Sequence, residues 1–407
     1  MLILVDVNKS PKQKSCDFYH SNAQLLRKMM LRTSREMILT NTILLLQVLL
    51  MKFVWSESQK SVNSLQRRYM SDSDAVCNDN SRATFFIGVQ SSNKWILFFE
   101  SGGFCASLVD CNKRYLNENS TVLMTSTLMP KEVIGRDLLS SSQTENPSFY
   151  DYRHVLVPYC SSDLWMGQRT NPKEPFRFVN DSSVDNFSFR GQTIFRTLFM
   201  DLLRGYNLRE AEEIVLSGSS AGGIGVLNHA GWVLDHVIKS QGLNAKLKSI
   251  VDSGWFINFQ DSLEAKVRPR FMSFANITTA ACKDTSRDYI CCPSASCMIA
   301  RGYYPSDVPL LIVSSIYDLF MLGDVISAQD TQENTATDNS ADYLTLVSMY
   351  GGAMNESISL IGTQASNVSI FAPACFQHIY LSTSSLWEEG GVLPPSAEVG
   401  RGPAKYR

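Results

Sequence analysis

The apolar triplet Ile214-Val215-Leu216 runs straight into Ser217-Gly218-Ser219-Ser220-Ala221-Gly222-Gly223, and this junction constrains the fold most tightly. The triplet predicts a short buried strand, and the small residues after it predict a sharp turn into a helix. That helix is expected to reach about Ser240, with Gly242 as its stop. Gly218 to Gly222 fits G-x-S-x-G in one frame, with Ser220 at its centre. A serine so placed sits on crowded backbone, which small neighbours relieve. Two other readings compete at this point. One is a glycine-rich strand–helix turn without chemistry. The other is a phosphate loop, but the lysine and Ser/Thr ending of such loops is missing here.

The remaining pattern extends this unit. Trp95-Ile96-Leu97-Phe98-Phe99 is a continuous apolar run closed by Glu100-Ser101-Gly102-Gly103, as expected of a buried parallel strand. His154 to Tyr159, Leu247 to Asp252, Val308 to Ser314 and Val368 to Phe371 are further candidate strands. Between Gly191 and Leu203 the apolar residues recur at helical spacing, and Gly205 can close that helix. Ser141 to Tyr150 and Gln329 to Asp342 are polar and read as loops. Strands alternating with helices predict the α/β class: an α/β-hydrolase-like, mostly parallel sheet with helices on both faces. The expected layout is a leader at 1–56, a polar linker at 57–74, a catalytic domain at 75–389 and a disordered tail at 390–407.

A serine hydroxyl needs a base to remove its proton, and histidine is the usual one. The chain has five. His20 lies in the leader. His229 and His236 follow Ser220 on one helix, roughly 13 Å and 24 Å along it at about 1.5 Å per residue, out of reach. His154 precedes the nucleophile. His378 follows a late strand and fits the chain order of α/β-hydrolases, in which the serine comes first, then the acid, then the histidine. The acid is expected just past a strand, where functional loops gather. Asp318 follows the run Leu310 to Ile316, with Asp324 and Asp252 as rivals. The oxyanion is expected to bind the N–H of Ala221 and the loop at Gly102 and Gly103. No metal or organic cofactor is expected, because water completes such a hydrolysis.

Basic Lys28, Arg32 and Arg35 precede an apolar run, Ile43 to Met51, too short for a comfortable membrane span of about 20 residues. It reads as a signal segment, with an uncleaved anchor as the alternative, so the catalytic part is expected outside the cytosol. Ten cysteines accord with disulfides in such a compartment, and nine would remain after loss of Cys16, leaving one unpaired. The cluster at 282–297 lacks the companions of a zinc site. Asn119, Asn180, Asn186, Asn276, Asn355 and Asn367 each begin an Asn-X-Ser/Thr tripeptide, which if glycosylated would put each segment on the surface. A net charge of −2, without a basic run, argues against nucleic acid as a partner.

From Cys77 to His378 the chain resembles the pectin acetylesterase/Notum family of carboxylesterases. The resemblance rests on Trp95 to Cys105, Glu145-Asn146-Pro147, Tyr159-Cys160-Ser161-Ser162-Asp163 and Gly218 to Gly223. It continues through Asp252-Ser253-Gly254-Trp255-Phe256, Tyr317-Asp318 and Ala372 to His378. It implies a triad of Ser220, Asp318 and His378, with an oxyanion hole at Gly102, Gly103 and Ala221. Pro158 to Asp163 and Asp252 to Phe256 are similar to the animal Notum branch. That likeness implies hydrolysis of a palmitoleoyl ester on a serine of Wnt proteins, so a lipidated protein is the expected partner. Gly103 stands where that branch has tryptophan and resembles the plant polysaccharide deacetylases, implying an acetylated glycan as the alternative substrate. A secreted binding protein of the same fold without catalysis is the third reading. The chain also ends soon after His378 without the further cysteines of the Notum branch, so a divergent C-terminal segment is expected.

Overall fold

A computed structural model describes residues 63–169, 186–257, 275–277, 295–323 and 340–381. The chain divides into two compact units, Met1–Ser61 and Val62–Arg407, and the described residues all lie in the second. The expected leader and tail, His20, Asn180, Asp324, and Cys16, Cys282, Cys291 and Cys292 lie outside the described residues, as does the side chain of Cys297.

The strands are β1 (Ser64–Tyr69), β2 (Thr84–Gly88), β3 (Lys94–Phe99), β4 (Glu132–Ile134), β5 (Arg153–Val157), β6 (Glu213–Ser219), β7 (Lys246–Asp252), β8 (Leu310–Val313) and β9 (Val368–Phe371). They form one sheet in the order β4-β1-β2-β5-β3-β6-β7-β8-β9. From β5 to β9 every pairing is parallel, while β1, β2 and β4 pair antiparallel at one side. The helices used below are α1 (Leu108–Leu116), α2 (Gly191–Gly205), α3 (Ala221–Trp232) and α4 (Ser340–Gln364). A π-helical stretch, Val233–Lys239, carries α3 onward until Gly242 turns the chain with φ +68°. The α/β-hydrolase-like arrangement expected from the alternating pattern is therefore the observed one.

The apolar run of β3 is central because it is covered on both faces: Trp95 to Phe99 are all buried. Phe195 of α2 stacks on Phe99 at 4.2 Å and on His229 of α3 at 4.3 Å, which ties both helices to the central strand. Such offset aromatic contacts contribute about 1 kcal/mol beyond area burial. Because the strands from β5 to β9 run parallel, their C-terminal ends share one edge, where ligands bind in open α/β sheets.

Two expectations change. The stretch 57–74, read as a polar linker, contributes β1 from Ser64 onward. Ser-Leu-Gln-Arg-Arg-Tyr carries one aliphatic side chain because a peripheral strand buries little, and Arg67 instead lies over the Tyr69 ring at 5.2 Å. The six glycosylation tripeptides are not alike either. Asn119, Asn276 and Asn355 are exposed, but Asn186 is buried. Asn367 commits its amide nitrogen to the carbonyls of Val308 and Pro305, at 2.8 and 3.2 Å. Disulfides join Cys77 to Cys160 and Cys105 to Cys111, and Cys375 is a free, exposed thiol.

Candidate active site

Ser220 stands between β6 and α3 with φ +50° and ψ −114°, a conformation that costs a non-glycine residue on the order of 1–3 kcal/mol. Main-chain bonds hold it there: its N–H donates to the Asp252 carbonyl at 2.7 Å, and its carbonyl accepts from Ile224 N–H at 3.0 Å. Small residues are needed for a steric reason. A Cβ on Gly222 would lie 1.9 Å from the Phe99 carbonyl oxygen, so α3 can meet β3 only through glycine. Ala221 opens the helix, where amides have no intrahelical acceptor and face an incoming anion.

The Gly102–Gly103 loop follows β3, and Phe99 is the register partner of Gly218, so this loop lies beside the serine turn. Gly103 has φ +64°, a region L-residues avoid, and a Cβ on Gly102 would meet the Tyr159 ring at 2.4 Å. Two side chains fix the loop. The Arg114 guanidinium donates to the Gly102 carbonyl, and the buried Tyr159 hydroxyl donates to the Gly103 carbonyl at 2.8 Å. A trans peptide points its C=O and N–H in opposite directions. Holding the Gly102 carbonyl therefore aims the Gly103 N–H away from Arg114. The Cys105–Cys111 bridge ties the end of this loop to α1.

Asp318 and His378 are brought together. His378 Nδ1 lies 2.7 Å from Asp318 Oδ2, with both side chains almost wholly buried. The other carboxylate oxygen accepts from the N–H groups of Phe320 and Met321 at 3.0 and 3.1 Å, which fixes the carboxylate plane. Phe320 stacks on the imidazole at 5.3 Å. With Nδ1 donating to the carboxylate, Nε2 keeps its lone pair. Among the described residues no hydrogen bond joins Ser220 Oγ directly to His378. Catalytic hydrogen bonds are commonly long without substrate and tighten when it binds. The two residues nevertheless share one edge: Ile379 N–H donates to Ser253 Oγ at 2.9 Å, next to the Asp252 carbonyl that holds Ser220.

The other described histidines have structural partners. His154 is buried with Nε2 2.8 Å from the Phe149 carbonyl, and His236 stacks on Trp232 at 5.3 Å. His229 lies 2.8 Å from the Trp165 carbonyl, and burial lowers its pKa to about 4. Asp252 does not reach the imidazole; its carboxylate bonds to Ser219, Ser253, Tyr380 and Leu381. Three further residues escaped reasoning from the sequence: Arg114, Tyr159 and Asp163. Asp163 is fully buried, and burial raises its pKa to about 6 against bonds from Ser161 Oγ, Trp165 N–H and Gly191 N–H. For Tyr159 and Asp163 the signal was the Tyr159 to Asp163 motif, which carries no chemistry until the fold closes around it; Arg114 lies outside it.

The chain is similar to known proteins in sequence and in fold. The palmitoleoyl-protein carboxylesterase NOTUM of Drosophila melanogaster is 29% identical over 327 residues, covering 77% of this chain and 44% of that protein. The palmitoleoyl-protein carboxylesterase notum2 of Xenopus laevis is 28% identical over 346 residues, covering 81% and 65%. The chain therefore spans less than two-thirds of either relative's length. The solved structure of the Wnt deacylase Notum from Drosophila matches with a TM-score of 0.65 and 26% identity, covering 79% of this chain and 87% of that one. The family profile described as Pectinacetylesterase matches residues 56–396, most of the sequence. On that match and the shared fold, this chain belongs to the pectinacetylesterase family.

Proposed function

We propose that the protein is a secreted serine carboxylesterase of Notum type that removes a palmitoleoyl group from a serine of a Wnt protein. The observation that carries the chemistry is the buried Asp318–His378 pair on the edge that holds the strained Ser220. In this reading His378 Nε2 takes the Ser220 Oγ proton as the oxygen attacks the ester carbonyl carbon. Asp318 holds the imidazole tautomer and stabilises the imidazolium. The oxyanion falls to the N–H groups of Ala221, Gly103 and Gly102. Collapse breaks the bond to the substrate's serine oxygen, which leaves with the imidazolium proton. Water, deprotonated by the same imidazole, then attacks the acyl carbon; the acyl–Oγ bond breaks, the imidazolium returns its proton to Ser220 Oγ, and the fatty acid leaves. No cofactor enters any step.

The likeness to palmitoleoyl-protein carboxylesterases of fly and frog supports the lipidated substrate. Gly103 supports a second reading, O-acetyl removal from a glycan, because a small residue in the oxyanion loop departs from the Notum pattern. Hydrolysis of nitrophenyl esters of rising chain length separates the two. The lipid reading expects turnover to rise toward long acyl chains, and a profile confined to the acetyl ester would overturn it. A non-catalytic binding protein would leave Ser220 unlabelled by a fluorophosphonate probe. Secretion is supported by the leader and the two disulfides, and is tested by sequencing the N-terminus of protein recovered from the medium.

A further inference from the structure

Asp252 ends β7 with its side chain fully buried, and its donors come from both sides of the active site. Oδ2 accepts from Ser219 Oγ at 2.8 Å, Tyr380 N–H at 3.0 Å and Leu381 N–H at 2.9 Å. Oδ1 accepts from Ser253 Oγ and Tyr380 N–H, both at 3.1 Å. Ser219 precedes the nucleophile, while Tyr380 and Leu381 follow His378 by two and three residues. The Asp252 carbonyl also accepts the Ser220 N–H, and Ser253 Oγ accepts the Ile379 N–H. Three successive amides after the imidazole therefore end on one dipeptide, which also holds the serine turn.

The segment held in this way would not keep its shape unaided. Ile379 has φ +67°, a genuine outlier for a β-branched residue, and Ser253 has φ +49°. Such backbone persists only where surrounding bonds over-determine it. The histidine loop must also return across β8 to reach β7, since β9, from which it springs, pairs only with β8 in the sheet. Burial raises the Asp252 carboxyl above the ordinary range, and the surrounding donors oppose that rise by favouring the ionised, acceptor-only form.

We propose that Asp252 is a positioning residue that sets the separation of Ser220 and His378 by clamping the serine turn and the histidine loop to one carboxylate. This rests on the esterase reading above. A side chain that merely stabilised the fold would lower the folded fraction and leave the turnover of folded molecules unchanged. A positioning side chain lowers turnover in molecules that remain folded, and a misplacement of about 1 Å costs on the order of 100-fold.

The experiment compares the full-length wild type with Asp252→Asn, Ser253→Ala and Ser220→Ala. It measures nitrophenyl ester hydrolysis, thermal unfolding and the downfield NMR signal of the His378 Nδ1 proton. Asparagine keeps the shape but turns an NH2 toward amide donors. Asp252→Asn is expected to unfold cooperatively, with kcat down about 100-fold, KM within about two-fold and the imidazole proton signal shifted or lost. Ser253→Ala retains the carboxylate, releases Ile379 and removes one of the donors to Asp252 Oδ1, so a loss of several-fold in kcat is expected even if Asp252→Asn does not fold. Wild-type kcat and an unmoved proton signal in a folded Asp252→Asn would overturn the proposal, as would wild-type kcat in Ser253→Ala should Asp252→Asn not fold. Full activity in Ser220→Ala would instead overturn the esterase reading, while the imidazole signal would still report on Asp252.

Discussion

The two halves of the candidate site are held by different physics. On the serine side, β3, β6 and α3 meet at main-chain distance, and Gly222 and the buried aromatics set the geometry by excluding volume. On the histidine side, β9 is a half-exposed edge strand, and the loop after it is held by hydrogen bonds to Asp318, Asp252 and Ser253. Packed interiors resist added atoms and tolerate altered charge at a distance, whereas polar networks tolerate little loss of a partner. One side should therefore fail by a methyl group and the other by a single oxygen.

The largest expected effect is on the histidine side. Asp318→Asn keeps the shape but loses the acceptor for Nδ1–H, and kcat should fall about 10⁴-fold, or about 5 kcal/mol, with a normal melting transition. Steady-state kinetics beside calorimetry checks this; a folded variant with near-wild-type turnover would remove Asp318 from the mechanism. Gly222→Ala should do the reverse. The added Cβ collides with the Phe99 carbonyl, and urea denaturation should show a loss of about 3 kcal/mol or outright failure to fold. A well-folded variant would show that the serine side can yield to an added methyl group.

A third test concerns pH. His229 has its pKa lowered by burial from 6.5 to about 4, so the stability it confers is complete above 6.5 and is lost as pH falls toward 4. Asp163 has its pKa raised by burial from 3.8 to about 6, so its contribution is complete below 3.8 and is lost as pH rises through 6. Each shift is worth about 3 kcal/mol, and the two oppose each other across the same window. Both side chains bond to the Trp165 backbone, one at its carbonyl and one at its N–H. Between pH 7.5 and 4.5, His229→Gln should gain stability relative to wild type and Asp163→Asn should lose it. Unfolding free energies at the two pH values decide; equal slopes for all three proteins would refute the pairing. The smallest effect is expected from Tyr159→Phe. It leaves the Gly103 carbonyl and the Leu164 N–H without their partner, at a cost of about 1–2 kcal/mol, and should slow acylation more than it raises KM.

The same contrast explains what could be read from the sequence. β3, β6 and the serine turn were legible because strands buried on both faces show unbroken apolar runs, and because the turn demands small residues. Ser220 stood out through the G-x-S-x-G turn and His378 through chain order, whereas Asp318 had Asp324 and Asp252 as rivals until the family resemblance favoured it. The peripheral β1 was not legible, since Arg67 sits where the alternation begun by Leu65 would place an apolar group. The 25-residue α4 was missed too, because its apolar residues, among them Leu346, Tyr350 and Met354, are interrupted by a Gly351-Gly352 pair and a polar start. Asp252 was weighed as a triad acid because it follows a strand. Its bonds to residues 128 and 129 positions away exist only in the closed fold.

The contact of Gly222 with the Phe99 carbonyl has a mechanical consequence. The oxyanion loop and the nucleophile helix share that contact and must move as one stiff jaw, so neither can open separately to admit a bulky acyl chain. Whatever compliance the site has belongs to the opposite jaw, whose imidazole is moored by polar bonds that can stretch and re-form. Substrate entry and product release should therefore be read in the motion of residues 375–381, with the serine turn as the fixed reference.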